Sequence, residues 1–275
     1  MKKTQLAINS VSTMRFGLED ILPAYHAAGF ENVEFVLKHV KDYLAQGHTV
    51  DDVKRLLVAN ELRCVGGFET HLECFSPPEQ RAKNHDLIVE NARLLGALGA
   101  AAMVVGTDGP ADPASVADPV VEITKVFAEV ARRVKGTGVT LCLEFNWSPV
   151  VKSLRTAAEI ARRTRASNVG VLFDPAHYHC TPTKFDQLNA QNIAYIRHVH
   201  VDDMADKPGE LSNCNSDRVL PGKGCLDLPA IFKQLEKNGY RGFFSIEMFS
   251  ERLWAMPPRT AAKVMYDSLL PFVGR

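Results

Sequence analysis

Eight times along the chain a short β-rich run gives way to a longer amphipathic segment, and no linker-like stretch interrupts the alternation. The strand-like runs end near Asn9 (QLAIN), Phe35 (NVEF), Phe68 (RCVGGF), Gly106 (AAMVVG), Phe145 (GVTLCLEF), Asp174 (VGVLFD), Val201 (YIRHVHV) and Met248 (FFSIEM). Helical spacing fills 17–29, 49–60, 79–99, 115–136, 153–166, 183–193, 227–238 and 256–272. Gly29, Gly99, Gly138 and Gly239 each stand between a helix and the next strand, where a left-handed residue ends a helix. Eight βα units with right-handed crossovers close into a parallel (β/α)8 TIM barrel, α/β in class, and the whole of 1–275 is read as one such domain. The alternative is an open doubly wound sheet. A nucleotide-binding sheet of that kind wants a glycine-rich turn after its first strand, and LAINSVSTMRFG offers none.

Composition narrows the partners. Hydrophobic residues are 46% and charged residues 23% of the chain, which excludes disorder and fibrous architectures. The 32 basic residues balance 32 acidic ones, so the clustered positive charge that nucleic acid or an anionic membrane requires has no support in the net charge. Six scattered cysteines without a CxxC pair read as reduced thiols of a cytoplasmic protein. The opening MKKTQLAINS is broken by polar residues too soon to serve as a signal peptide, and no apolar stretch approaches membrane-spanning length. The expected partner is a small molecule, and a homo-oligomer stays open.

In a barrel the C-terminal strand ends converge on one mouth. The last four offer Glu144 in LCLEFN, Asp174 in LFDPAHYH, His200 in HVHVDD and Glu247 in FSIEMF, all from consecutive strands. Each follows an apolar run, where an unpaired carboxylate costs several kcal/mol unless a cation compensates it. A lone strand-end Glu is ordinarily solvated or salt-bridged. Four such groups in succession suit one divalent ion of the Mn²⁺, Mg²⁺, Co²⁺ or Zn²⁺ type.

With His177 three residues after Asp174, this set resembles the xylose-isomerase-like sugar isomerase/epimerase superfamily along essentially the whole chain. The stretches YIRHVHVDD, SDRVLPGKGCLDL and GYRGFFSIEMF resemble its 2-keto-myo-inositol (inosose) isomerase branch more than the ketose 3-epimerases. The resemblance implies one bound divalent ion, Mn²⁺ favoured, on Glu144, Asp174, His200 and Glu247. It also makes Glu144 and Glu247 the catalytic acid and base on opposite faces of a sugar or cyclitol, with His177 and Arg218 binding substrate oxygens. The implied reaction moves a proton beside a ketone through a metal-stabilised enediolate. Elimination by a dehydratase of a related cyclic ketone is the rival on the same site. An AP-endonuclease-like reading wants further ligands that AAMVVGTDG does not supply.

Other residues are read individually. Glu34 and His71 are expected to line the sugar pocket, with Asn9, Phe68 and Trp147 as further wall candidates. His198 is expected to face the helical layer as a structural residue. Of Asp202 and Asp203, one braces a loop and the other stands behind the ligands. GKG at 222–224 lacks the GxxxxGK[ST] pattern, Asp227 explains the loop as a helix cap, and the substrate is therefore expected to be unphosphorylated.

Overall fold

Runs in which β-branched and aromatic residues alternate with small or polar ones form the strands. The computed structural model describes residues 1–146 and 148–274. Its barrel strands are β1 (Leu6–Asn9), β2 (Asn32–Val36), β3 (Arg63–Phe68), β4 (Ala102–Val105), β5 (Thr140–Glu144), β6 (Val169–Phe173), β7 (Ile196–Val201) and β10 (Phe244–Ile246). They close in the order β1-β10-β7-β6-β5-β4-β3-β2 with every pairing parallel, the expected (β/α)8 barrel. Beyond the end of β7, β8 (Asp203–Met204) pairs antiparallel with β9 (Arg218–Val219). This ribbon brings Arg218 back to the strand ends.

The helices are α1 (Leu18–Ala28), α2 (Leu37–Ala45), α3 (Val50–Ala59), α4 (Pro78–Ala97), α5 (Pro119–Arg133), α6 (Leu154–Thr164), α7 (Pro175–Cys180), α8 (Ala190–Ile193), α9 (Leu228–Lys237), α10 (Glu251–Trp254) and α11 (Pro258–Leu269). Gly29 ends α1 at φ 110°, and Gly99, Gly138 and Gly239 also take positive φ before their strands. Asp227 caps α9 by accepting from the Ala230 amide at 3.1 Å. The helix expected over 183–193 is not continuous. Asn189 accepts from the Asn192 amide and starts the short α8, which separates it from a 3₁₀ turn at Phe185–Gln187. Unexpected helices are α2, which continues from β2 without a turn residue, α7, which Asp174 and Pro175 start as cap and first residue, and the short α10, capped by Ser250.

Strand alternation sorts the interior. On β5, Leu141 and Leu143 join the large apolar core shared with the helices, while Cys142 packs inside the barrel with Ala102, Val104 and Leu172. Glu144 follows on the same side as Cys142. The six cysteines are free thiols. Among the described residues no helix is long and apolar enough to cross a membrane.

Leu143 is fully buried between barrel and helices, so Leu143→Ala leaves a cavity there. Denaturant titration should show a loss of about 2–5 kcal/mol. A loss under about 1 kcal/mol would mean that the interface collapses onto the gap.

Candidate active site

Each strand-end group faces inward because it sits two residues after another inward residue. Glu144 ends β5, Asp174 follows β6 as the N-cap of α7, His200 lies on β7 and Glu247 follows β10. Asp174 Oδ1 accepts from the amides of Ala176 (2.7 Å) and His177 (3.2 Å), which fixes the carboxylate and turns Oδ2 inward. That Oδ2 lies 3.3 Å from His200 Nδ1, and Glu247 Oε2 lies 3.1 Å from the same nitrogen. Glu144, Asp174 and His200 each offer a ligand atom within 4.8 Å of the others. Glu144 Oε1 meets His177 Nε2 at 3.2 Å, and Asn9 Nδ2 donates to Glu247 Oε1 at 3.0 Å.

Arg218, expected to bind a substrate oxygen, borders the cavity but is buried, with its donors turned onto protein acceptors. Its Nη1 donates to Asp202 Oδ2 (2.6 Å) and Glu247 Oε2 (2.9 Å), its Nη2 to Asp174 Oδ2 (3.0 Å), and its Nε to the Cys214 carbonyl (2.7 Å). The Phe249 ring covers the guanidinium, 5.2 Å from ring centre to Cζ. Asp202 therefore stands behind the cluster. Asp203 braces the GKG loop instead, accepting from the amides of Gly222, Gly224 and Leu226, each at 3.0 Å. A Cβ at Gly224 would strike the Met204 carbonyl and the Asp203 carboxylate.

His198 corrects one expectation: it does not face the helices. Residues two apart on a strand share a face, so His198 and His200 both point inward, and His198 Nε2 lies 3.0 Å from Glu34 Oε2. Glu34 corrects another. It is fully buried beneath the mouth, with Oε1 3.2 Å from His200 Nε2, and forms no part of the cavity wall. His71 also lies off the wall, exposed, its carbonyl accepting from Asn84 Nδ2 at 3.0 Å. Asn9 braces Glu247 rather than lining the cavity, Phe68 does line it, and Trp147 falls outside the described residues.

The cavity at the mouth encloses about 350 Å³. Phe68, Val104 and Phe249 supply its apolar wall, and Asn146, Cys214 and Asn215 join Glu144, His177, His200, Arg218 and Glu247 as its polar one. Asn146 and Phe249 were findable, each lying two residues beyond an inward glutamate; Cys214 and Asn215 sit in the β8–β9 loop, which has no periodicity to read. Larger grooves of about 890 and 830 Å³ run beside α5 and α6, away from the strand-end carboxylates.

A family model described as xylose isomerase-like TIM barrel matches residues 22–269. The chain belongs to that family. An inosose isomerase of Halalkalibacterium halodurans is 25% identical over 257 residues, spanning 90% of this chain and 88% of the relative. An inosose dehydratase of Clostridium perfringens is 24% identical over 258 residues, spanning 86% and 84%. A solved structure of an IolI protein with a bound zinc atom shares the fold at a TM-score of 0.86 and 21% identity, over 98% of both chains.

Charge dominates the site. Glu34, Glu144, Asp174, Asp202 and Glu247 crowd around Arg218 and three imidazoles. Burial opposes ionisation of the carboxylates, yet His198 and His200 hold Glu34, and Arg218 and His177 hold Asp174, well below the usual range. Burial likewise disfavours charged imidazoles, but Asp174 and Glu144 raise His177, and Glu247 and Glu34 raise His200, well above the ordinary value. Burial, reinforced by Asp174, pushes Asp202 up despite Arg218.

These directions set the pH response of protein stripped of divalent ions. His177 and His200 have folded pKa values above the unfolded value of about 6.5, so their stabilisation is complete below it and is lost as pH rises through the folded values. Glu34 and Asp174 stabilise fully above about pH 4 and lose that contribution as pH falls through their depressed values. Urea midpoints measured in chelator should peak between about pH 4 and 6.5. A midpoint that climbs from neutral to alkaline pH contradicts the assignment.

Proposed function

We propose that this protein is a divalent-metal-dependent isomerase or epimerase of a neutral polyol ketone of the cyclitol or ketose class. One observation carries the reading: Asp174 Oδ2 and Glu247 Oε2 converge on His200 Nδ1, with Glu144 beside them, at the floor of a sugar-sized cavity. Oxygen-rich donors with one imidazole, in a surplus of buried negative charge, fit a cation such as Mn²⁺, Zn²⁺, Mg²⁺ or Co²⁺. Glu144, Asp174, His200 and Glu247 would hold it. Bound there, a divalent ion offsets the negative charge that develops on a substrate carbonyl oxygen when the adjacent carbon loses its proton.

The chain's own residues account for the rest. Glu144 and Glu247 come from β5 and β10, on either side of the β6 and β7 groups, and so flank the cavity. One carboxylate takes the proton from the carbon beside the ketone, and a carboxylate returns it. Return to the opposite face of that carbon epimerises it; return to the neighbouring carbon moves the carbonyl. Asn9 and Arg218 hold Glu247 in place. His177 Nδ1 is buried without a protein partner among the described residues, which suits it to a substrate hydroxyl.

The neutral character of the substrate rests on two occupied anion sites. Barrels commonly bind phosphate beyond the seventh and eighth barrel strands. Here Asp203 fills the amides of that loop, and Arg218 is committed to Asp174, Asp202 and Glu247.

Relatives named inosose isomerase support a cyclitol ketone; the relative named inosose dehydratase favours elimination as the second reading. Product absorbance separates them, since elimination creates an enone and proton transfer does not.

Elemental analysis should find about one divalent ion per chain, because the two candidate donor groups among the described residues, Glu144 with Asp174 and His200, and Glu34 with His198 and His200, share His200. In D₂O the metal-loaded wild type should place deuterium beside the carbonyl of an inosose or ketohexose. Glu144→Gln and Glu247→Gln, reloaded with metal, should each lose exchange by several orders of magnitude. Normal exchange in both variants would assign the proton transfer to another base. His177→Ala should slow turnover while retaining the metal; loss of metal with His177→Ala but not with His200→Ala would overturn the ligand set.

A further inference from the structure

Glu34 belongs to neither the cavity wall nor the four proposed ligands, yet it is a carboxylate with no exposed surface. It stands on β2, separated from β7 by β1 and β10, so its side chain crosses the barrel interior to reach two imidazoles of one strand. Oε1 lies 3.2 Å from His200 Nε2, and Oε2 lies 3.0 Å from His198 Nε2. The hydrogen bond is to His200; the Oε2–His198 approach, charge at short range without hydrogen-bond geometry, leaves Oε1 for His200.

The consequence concerns where a proton sits. A neutral imidazole carries one N–H, and an ionised carboxylate only accepts. His200 is held between acceptors on both sides: Glu34 at Nε2, and at Nδ1 the oxygens of Glu247 (3.1 Å) and Asp174 (3.3 Å). Two tautomers therefore compete. With the proton on Nδ1 the ring faces the cluster as a donor and cannot ligate; with the proton on Nε2 the Nδ1 lone pair is free. We propose that Glu34 is a positioning residue, which keeps the proton of His200 on Nε2 and so presents Nδ1 to the metal. The inference rests on the metal-site reading and adds to it the residue that selects the ligating atom. A carboxylate behind a ligand histidine orients the ring and raises its basicity, and removing such a partner typically weakens metal binding by about 10–100-fold.

Glu34→Gln keeps the volume and can turn an N–H toward His200, which removes the bias. Zn²⁺ affinity measured by competition with a chromophoric chelator should fall by about 10–100-fold in this variant, and the visible spectrum of the Co²⁺ form should change. Wild-type affinity and an unchanged Co²⁺ spectrum would overturn the inference, as would a drop in melting temperature with Zn²⁺ affinity intact, the mark of a packing role. A second measurement needs no variant. In Zn²⁺-loaded wild type with ¹⁵N-labelled histidine, the His200 proton should appear on Nε2 with Nδ1 coordinated; coordination through Nε2 would overturn the assignment even if Glu34→Gln does not fold. Failure of the wild type to bind Zn²⁺, Mn²⁺ or Co²⁺ would instead overturn the metal-site reading itself, and this inference with it.

Discussion

Crowding carboxylates into a desolvated space is the constraint to which the rest of this site answers. Isolated, each would carry a penalty of several kcal/mol. The protein lowers that penalty with Arg218, buried to 5% exposure and reached by carboxylates from three chain segments. The ribbon of β8 and β9 makes this contact, since it returns the chain to the mouth, where Arg218 meets Asp202. What Arg218 leaves uncompensated falls to the imidazoles, whose raised pKa values and whose partners' lowered ones are two sides of one balance.

That balance also bears on what can enter. A barrel mouth with amides left open at its phosphate loop would draw anions. Here the Asp203 carboxylate closes the Gly222–Gly224 turn from within, and the absence of a side chain at Gly224 is what lets it approach. The cavity that remains mixes polar groups with the side chains of Phe68, Val104 and Phe249.

Much of this was legible in the sequence, for reasons that differ by element. The barrel was readable because each strand and most helices carry their own periodicity and their own terminators; Gly29, Gly99, Gly138 and Gly239 all take the left-handed conformation that their positions imply. Glu144, Asp174, His200 and Glu247 were readable as a set because strand ends meet at a barrel mouth. The segment 183–193 misled because apolar spacing continues across Asn189, whose side chain prefers to cap a new helix. His198 misled through a misapplied period, since i and i+2 share a face. The strand-end position of Glu34 is readable, but its depth depends on reaching across the barrel to β7, a distance that no local pattern encodes. Cys214 and Asn215 were illegible because a loop's contribution to a wall is set by where its ends are anchored.

One irregularity in the sheet bears on how this chain can change over generations. The pairing of β6 with β7 skips a residue: Val171 faces Ile196, but the next residue, Leu172, faces His198. Arg197 is the extra residue, and beyond it His198, His200 and Asp202 fall on the inner side in succession. Because Arg197 is taken up in the bulge, deleting it would leave His198, His200 and Asp202 in register, whereas deleting Val199 would turn His200 and Asp202 outward and bring Val201 inward. Length variation in related sequences should therefore be tolerated at the bulge and purged from the second half of β7. The bulge is a buffer for the strand's length, upstream of a stretch in which every residue's place decides which face it serves.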